Sequence, residues 1–264
     1  NGPCQRITIG AKMGVAVLLK LVPDTTAKIT VSGNRVEQAS VSKWSTSPYD
    51  EYALECAIQL KEAGYGEIVA ITCGKTGSSK VLTDAAAVGA DSLIHVIVED
   101  DELDSMQMQS LLSAAVKHSK SEVVVCGKQA ADTNSGSTGP GIASLLGYSC
   151  VGSVSTISHN GESFLASRLG VNGNEEVEVS APCVFTFDKG LTELRRPNVR
   201  GIMMAKKKPI EKLSASDLGV SIGESGVAIE AHLSPPEKPP GQIFQGAESV
   251  PEVVGKLREE ANVI

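Results

Sequence analysis

Residues 121–147 read SEVVVCGKQAADTNSGSTGPGIASLLG. The apolar run Val123 to Cys126 is short and Val-rich, which suits a strand buried on both faces. Thr138-Gly139-Pro140 then opens a second apolar stretch, and a proline in the first turn suits the start of a helix. Between the two lies a loop of Gly, Ser, Thr, Asp and Asn. Strand, polar loop, helix is the first half of a βαβ unit. The loop is either a solvated connection or a cradle for an anion. A helix N-terminus offers unpaired N–H groups and the positive end of its dipole. Gly136, Ser137, Thr138 and Gly139 permit close backbone approach and supply hydroxyl donors, and Asp132 is suited to hold the loop or a ribose hydroxyl.

The same alternation extends to either side. GVAVLLKLV from Gly14 is a continuous apolar run, expected as one buried strand, and KITVSGNRVEQASVSKW alternates around a Gly-Asn turn, expected as a hairpin. SPYDEYALECAIQLKEAG is the best helix. Ser47 is the expected N-cap, Pro48 the first residue, and Asp50, three residues after the serine, completes a capping-box pattern. EIVAITCG, SLIHVIV and SEVVVCG are expected strands, with helices over SSKVLTDAAAVGA and DSMQMQSLLSAAVKHSK between them. Near-continuous apolar strands alternating with helices imply a Rossmann-like α/β fold: a parallel sheet with helices on both faces and ligands at the carboxyl ends of the strands.

After Leu146 the pattern changes. Two alternating runs flank His159-Asn160-Gly161, a hairpin signal, and EEVEVSAPCVFTFD is expected to add a further strand pair. From Lys206 the chain turns polar and proline-rich, then ends in SVPEVVGKLREEANVI, a short amphipathic helix. The division that follows is residues 1–12 as a leader or expression remnant, 13–205 as the α/β domain, and 206–264 as an arm that docks elsewhere.

Composition narrows the function. Of 264 residues, 41% are apolar, so a full core is available. The net charge of −7 and only 3% aromatics argue against general nucleic-acid binding. No apolar run approaches a membrane span. The six cysteines include no CxxC pair and read as free core thiols, and the four histidines form no metal pattern. No Ser-His-Asp set, activated cysteine or carboxylate pair appears, so no catalytic residue is assigned.

The glycine motifs are incomplete. Gly74-Lys75-Thr76 ends like a phosphate loop, but Val69 stands where its first glycine belongs, and GPGIAS carries Ser144 for the third glycine of a dinucleotide fingerprint. In the expected topology Leu18 to Lys20, the helix start Ser47 to Asp50, and Cys73-Gly74 reach the same sheet edge as Gly127–Thr138. Each has a plainer reading: a surface lysine, a capping carboxylate, a core cysteine. A second feature, LTELRRPNVRGIMMAKKKP (191–209), sets three arginines and three lysines into an acidic protein. Val199, Ile202, Met203 and Met204 lie among them. That mixture is either a solvated basic loop or a docking site, with charge to steer and an apolar anchor to hold.

At these residues the chain closely resembles the β (small) subunit of electron transfer flavoproteins. VLLKLVPDTT, SPYDEYALECAIQLKEAG, AVGADSLIHV, GKQAADTNSGSTGPGIASLLG and LRRPNVRGIMMAKKKPI occur in family order from about Met13 to Glu211. The resemblance implies a heterodimer with an α subunit and an FAD held mainly by that subunit. It also implies an adenine-nucleotide site on this chain for AMP, or for a second FAD in electron-bifurcating members. The nucleotide contacts it implies are Leu18, Lys20, Ser47, Pro48, Tyr49, Asp50, Cys73, Gly127, Lys128, Gln129, Ala130, Ala131, Asp132, Thr133, Asn134, Ser135, Gly136, Ser137 and Thr138. A recognition loop for flavin dehydrogenases, such as acyl-CoA dehydrogenases, falls on Leu191, Val199, Arg200, Ile202 and Met203, with Val199 as the anchor. Electrons would pass on to a quinone oxidoreductase or respiratory chain, in a bacterial cytoplasm or mitochondrial matrix.

Several residues depart from the family's commoner patterns. Ser47-Pro48 replaces Asn-Pro. Asp50 resembles the bifurcating variety, the AMP type usually having cysteine there. TNSGSTGP lacks the common glutamine, and Leu169 stands where some members place a glutamate beside Arg168. AMP and a second FAD both stay open, with AMP favoured as belonging to the wider role. A stand-alone adenine-nucleotide sensor is the alternative of another class, and the basic segment and arm speak against it. An NAD-dependent dehydrogenase is the weakest reading, given the broken fingerprint.

Overall fold

The computed structural model describes residues 14–99, 103–190, 192–237 and 240–264. The expected leader and Leu191 lie outside the described residues. In chain order the elements are β1 (Gly14–Leu18), β2 (Leu21–Pro23), β3 (Val31–Ser32), β4 (Arg35–Val36), β5 (Trp44–Thr46), α1 (Pro48–Glu62), β6 (Glu67–Gly74), α2 (Ser79–Val88), β7 (Ser92–Ile97), α3 (Ser105–Ser119), β8 (Val123–Gly127) and α4 (Thr138–Leu146). There follow β9 (Ser149–His159), β10 (Phe164–Gly170), β11 (Gly173–Val179), β12 (Cys183–Phe187), α5 (Val199–Ala205), β13 (Glu211–Leu213) and α6 (Val250–Glu259).

Nine strands form one sheet in the order β11-β10-β9-β12-β8-β1-β6-β7-β13. From β9 to β13 every neighbouring pair is parallel, while β10 and β11 add antiparallel strands at one end. The apolar runs explain the parallel part, because alternate residues of one strand enter opposite cores. Val15 and Val17 pack with Ala53, Ala57 and Ile58 of α1 and Leu82 of α2. Ala16 and Leu18 pack with Leu111 and Val116 of α3 and Ile142 of α4. Covering both faces removes the polar positions that a half-exposed strand would need. The chain winds from β1 through β6 and β7, then returns to place β8 on the other side of β1. The β1–β8 crevice is therefore a topological switch point, where open α/β sheets bind ligands.

Three expectations need correction. GVAVLLKLV is not one strand. β1 ends at Leu18, and Leu21–Pro23 turns away to pair antiparallel with β5. The break falls at Lys20, whose backbone N–H donates to the Asp50 carboxylate at 2.9 Å instead of continuing the ladder. The expected strand pair in EEVEVSAPCVFTFD is not a pair either. β11 lies at the sheet edge against β10, while β12 inserts between β8 and β9. Sequence explains the separation afterwards: CVFTF is buried throughout and suits the interior, whereas GNEEVEV carries charge suited to an edge. Finally, Ser47 and Asp50 form no capping box. The Ser47 side chain caps nothing in α1, and the box that does form belongs to α3, between Asp104 and Gln107.

The expected hairpins are present. Gly33 and Asn34 have φ of 58° and 61° between β3 and β4, the left-handed pair of a tight hairpin turn. The 206–264 segment first supplies β13 to the main sheet and packs Leu213 and Val220 on the α3 face. Beyond Val220 no described residue is buried. The segment crosses the start of α3, where Asp104 accepts from Gly226 N–H at 2.7 Å and Gln107 donates to Gly223 C=O at 2.6 Å. It then reaches the β3–β4 hairpin, where Arg35 donates to the Glu230 and Ile229 carbonyls.

Candidate functional site

A cleft of about 190 Å³ opens at the carboxyl ends of β1, β6 and β8. Of the expected contacts, Leu18, Lys20, Asp50, Cys73, Gly127, Lys128, Gln129, Ala130, Thr133, Ser135 and Thr138 line it. The sheet explains the convergence. Leu18 and Lys20 follow β1, Cys73 ends β6, Gly127 ends β8, and α1 begins at the same edge.

Asp50 ties these loops together. Its carboxylate is buried and accepts two backbone N–H bonds, from Lys20 at 2.9 Å and Gly127 at 2.8 Å. One side chain thus joins the ends of β1 and β8, the two strands that flank the switch point. Burial pushes its carboxyl up to about 7, against the pull of the two N–H bonds and the Lys20 ammonium. A Cβ on Gly127 would lie 2.6 Å from Asp50 Oδ1 and 2.6 Å from Tyr49 Cβ, so only glycine fits there.

Contacts among the expected residues, some in the lining and some outside it, hold the loop in shape. Ser47 Oγ accepts from Ala131 N–H at 3.3 Å. Lys20 Nζ pairs with Asp132 at 2.8 Å, and Lys128 Nζ pairs with Asp188 at 2.8 Å while lying 5.1 Å from the centre of the Tyr49 ring. Gln129 donates to Asn134 Oδ1 at 2.8 Å. Asn134 and Gly136 have φ of 51° and 66°, the left-handed conformations that turn the loop back toward α4. Pro48 occupies the first turn of α1, where no N–H is required.

The start of α4 is set up for an anion or hydroxyl. No side chain caps it, and Ser137 Oγ is buried there with no hydrogen-bond partner. Thr138 at that start lines the cleft, and a helix N-terminus suits an anion. The helix sits hard against the sheet, since a Cβ on Gly139 would collide with Thr186 and lie 3.1 Å from Cys126 Sγ. Burial pushes the Cys73 thiol up to about 12 and raises that of Cys126 as well, so neither is a thiolate near neutral pH. Among the described residues no group of three or more His, Cys, Asp or Glu is placed to hold a metal.

Sequence reasoning missed one wall of the cleft. Leu103, Asp104, Ser105, Met108 and Leu112 line it from the start of α3. The available signal was the Asp104-x-x-Gln107 capping pattern, which fixes where that helix begins at the same sheet edge.

The basic stretch forms a second surface. Residues 199–205 fold as α5, with Asn198 Oδ1 accepting from Gly201 N–H at 2.7 Å as the N-cap. Val199 is 76% exposed, and Ile202, Met203 and Met204 are also exposed, alongside the exposed Arg200. At the far end of the sheet the exposed Leu169 follows Arg168, whose Nε donates to Glu175 at 2.8 Å.

Comparison with known proteins agrees on one family. A family model described as the electron transfer flavoprotein domain matches residues 38–218. The chain is 35% identical over 258 residues to the electron transfer flavoprotein subunit beta of Bacillus subtilis, covering 96% of this chain and all of that protein. It is 34% identical to the mitochondrial subunit beta of Oryza sativa subsp. indica, with the same coverage. It is 32% identical to the human subunit beta, covering 94% of this chain and 98% of that protein. No described helix is long and apolar enough to cross a membrane.

Proposed function

Because this chain belongs to the electron transfer flavoprotein family as a β-subunit member, we propose that it pairs with an α subunit and carries electrons as half of that heterodimer. In this reading FAD lies mainly on the α subunit and an adenine nucleotide fills the β1–β8 cleft. The observation that carries the nucleotide site is the convergence of the β1, β6 and β8 ends with Thr138, at the uncapped start of α4, on one cleft beside a loop tied to α1 and β1. AMP is taken as the occupant because simple electron transfer is the wider role, a second FAD belonging to electron-bifurcating members.

FAD, when bound, supplies the redox chemistry. This chain's residues bind and orient. Ser137, Thr138 and the first N–H groups of α4 take the phosphate. Lys20 and Lys128, paired with Asp132 and Asp188, brace the cleft wall, and Asp50 holds the two strand ends in register. The apolar face of α5, with Arg200 beside it, docks flavin dehydrogenases such as acyl-CoA dehydrogenases, and a quinone oxidoreductase or respiratory chain accepts the electrons. The arm beyond Val220 wraps the α subunit. The homologues include bacterial and mitochondrial proteins, in keeping with a bacterial cytoplasm or a mitochondrial matrix.

The test is to purify the chain with its α partner, denature the complex and count the nucleotides released. One FAD and one AMP per heterodimer is the expected result. Two FAD would make the β cleft a redox site and electron bifurcation the leading mechanism. A stable complex of this chain with itself, holding ATP or AMP and no flavin, would overturn the proposal in favour of a nucleotide sensor.

A further inference from the structure

The basic stretch ahead of α5 contains a half-buried cation whose guanidinium is taken up by two carboxylates of this chain. Arg195 Nε donates to Glu55 Oε2 at 2.9 Å and its Nη2 to Glu55 Oε1 at 2.9 Å, a two-point fork. The opposite side of the same guanidinium donates to Glu62, from Nη1 to Oε1 at 2.7 Å and from Nη2 to Oε2 at 3.1 Å. The Arg195 backbone N–H also reaches Glu55 Oε2, at 3.2 Å. Both glutamates stand on α1, and Glu55 is buried. Burial pushes the Glu55 carboxyl up, but the hydrogen bonds from Arg195 more than offset this and leave it below its usual value.

Four residues after Arg195, α5 begins. Its underside is fixed as closely as its base. Gly201 lies so near the Ala87 carbonyl that a Cβ would collide with it, and Lys208 donates to the Ala90 carbonyl just beyond the helix. Arg196, Arg200, Lys206 and Lys207 are exposed. The stretch therefore divides its cations into one that anchors and several that face outward.

We infer that Arg195 is a positioning residue: its double fork onto Glu55 and Glu62 locks the approach to α5 against α1, so that Val199, Ile202 and Met203 meet a docking protein preorganised. This rests on the reading of α5 as the docking surface. A rigid surface binds more tightly because less ordering remains to be done on association. Arginine suits the task because its planar fork meets two carboxylates at fixed angles, which a lysine's single ammonium does not reproduce.

The experiment uses the whole heterodimer with an acyl-CoA dehydrogenase, reduced by its own substrate, as electron donor. Arg195→Lys is one variant. Arg195→Leu combined with Glu55→Leu is the second, since it leaves no unpaired buried charge to unfold the protein. Both are expected to raise the KM for the heterodimer about tenfold, the effect of about 1.4 kcal/mol of binding, with kcat and flavin content unchanged within about twofold. Amide hydrogen exchange over 199–205 is expected to quicken by a similar factor. Ile142→Val, a core change on the opposite face, is the stability control and is expected to leave the KM alone. Val199→Asp tests the docking surface itself. If Val199→Asp raises the KM while the folded Arg195 variants change neither KM nor exchange, the positioning role is overturned and the docking surface stands. If Val199→Asp leaves the KM unchanged, the docking reading fails and this inference fails with it.

Discussion

Asp50 shows how much one residue can decide. Its carboxylate accepts from Lys20 and Gly127, which belong to different strand ends, and no other described side chain joins those two N–H groups. Asparagine offers one oxygen for the two donors, so Asp50→Asn is expected to destabilise the protein by about 1–3 kcal/mol at pH 5. The pH dependence has a definite sign. The carboxyl titrates near 7 in the folded chain against 3.8 as its reference value, so the folded state binds the proton more tightly. Between those values the unfolded state holds fewer protons, and this group's contribution to stability falls as pH rises from about 4 to about 7. Asparagine has no such slope. Urea melts of both proteins are therefore expected to show the variant's deficit shrinking between pH 5 and pH 8, and a deficit independent of pH would refute the buried, proton-binding carboxyl. Gly127→Ala acts on the same spot from the other side. Its methyl meets Asp50 and Tyr49, so released-nucleotide counts on the purified heterodimer are expected to fall well below one AMP.

At the scale of the element, the decisive piece is the loop from β8 into α4 and the short helix α5. Gly136 has φ of 66°, and a side chain there costs about 1–2 kcal/mol before any contact is considered. Gly136→Val is expected to release the cleft nucleotide while the FAD on the α subunit stays bound, which chromatography of denatured complex would register. Full retention would move the pocket elsewhere. On α5, Val199→Asp places a charge on the most exposed apolar residue of that helix. It is expected to slow electron uptake from the dehydrogenase about tenfold or more without loss of flavin, measured as the rate of heterodimer reduction. The loop's place between a buried strand and a helix was legible in the sequence, and the helix start at Thr138 followed from Pro140. That α5 is a helix at all was less legible, because Gly201 and the flanking charges disguise seven helical residues as a basic loop.

For the molecule as a whole, the sheet ends where burial ends. β13 completes it, and Leu213 and Val220 close the α3 face, whereas no described residue from 221 onward is buried. A chain truncated after Val220 is thus expected to keep its melting temperature within a few degrees and its helix and strand content by circular dichroism. The same truncation is expected to lose the α subunit in size-exclusion chromatography, since exposed Val227, Leu233 and Ile243 are then missing. Retention of the heterodimer by the truncated chain would remove the arm from the interface.

The sequence by itself determined the strand–helix alternation, the buried parallel strands, the hairpins at Gly33-Asn34 and Asn160-Gly161, and most residues of the cleft. The elements follow from periodicity and turn chemistry, which act over a few residues, and the cleft residues from the placing of ligands at strand ends together with the family resemblance. Tertiary structure alone decided that β12 threads between β8 and β9, and that Leu21–Pro23 leaves the main sheet. It also set α3 as a cleft wall, Asp50 as a bridge between strand ends rather than a helix cap, and Arg195 as an anchor rather than a surface charge. In each of these the partner lies far along the chain, 77 residues from Asp50 to Gly127 and 140 from Glu55 to Arg195. A carboxylate accepts equally well from a neighbouring N–H and a distant one, so only the packing that brings the distant donor within 3 Å decides between them.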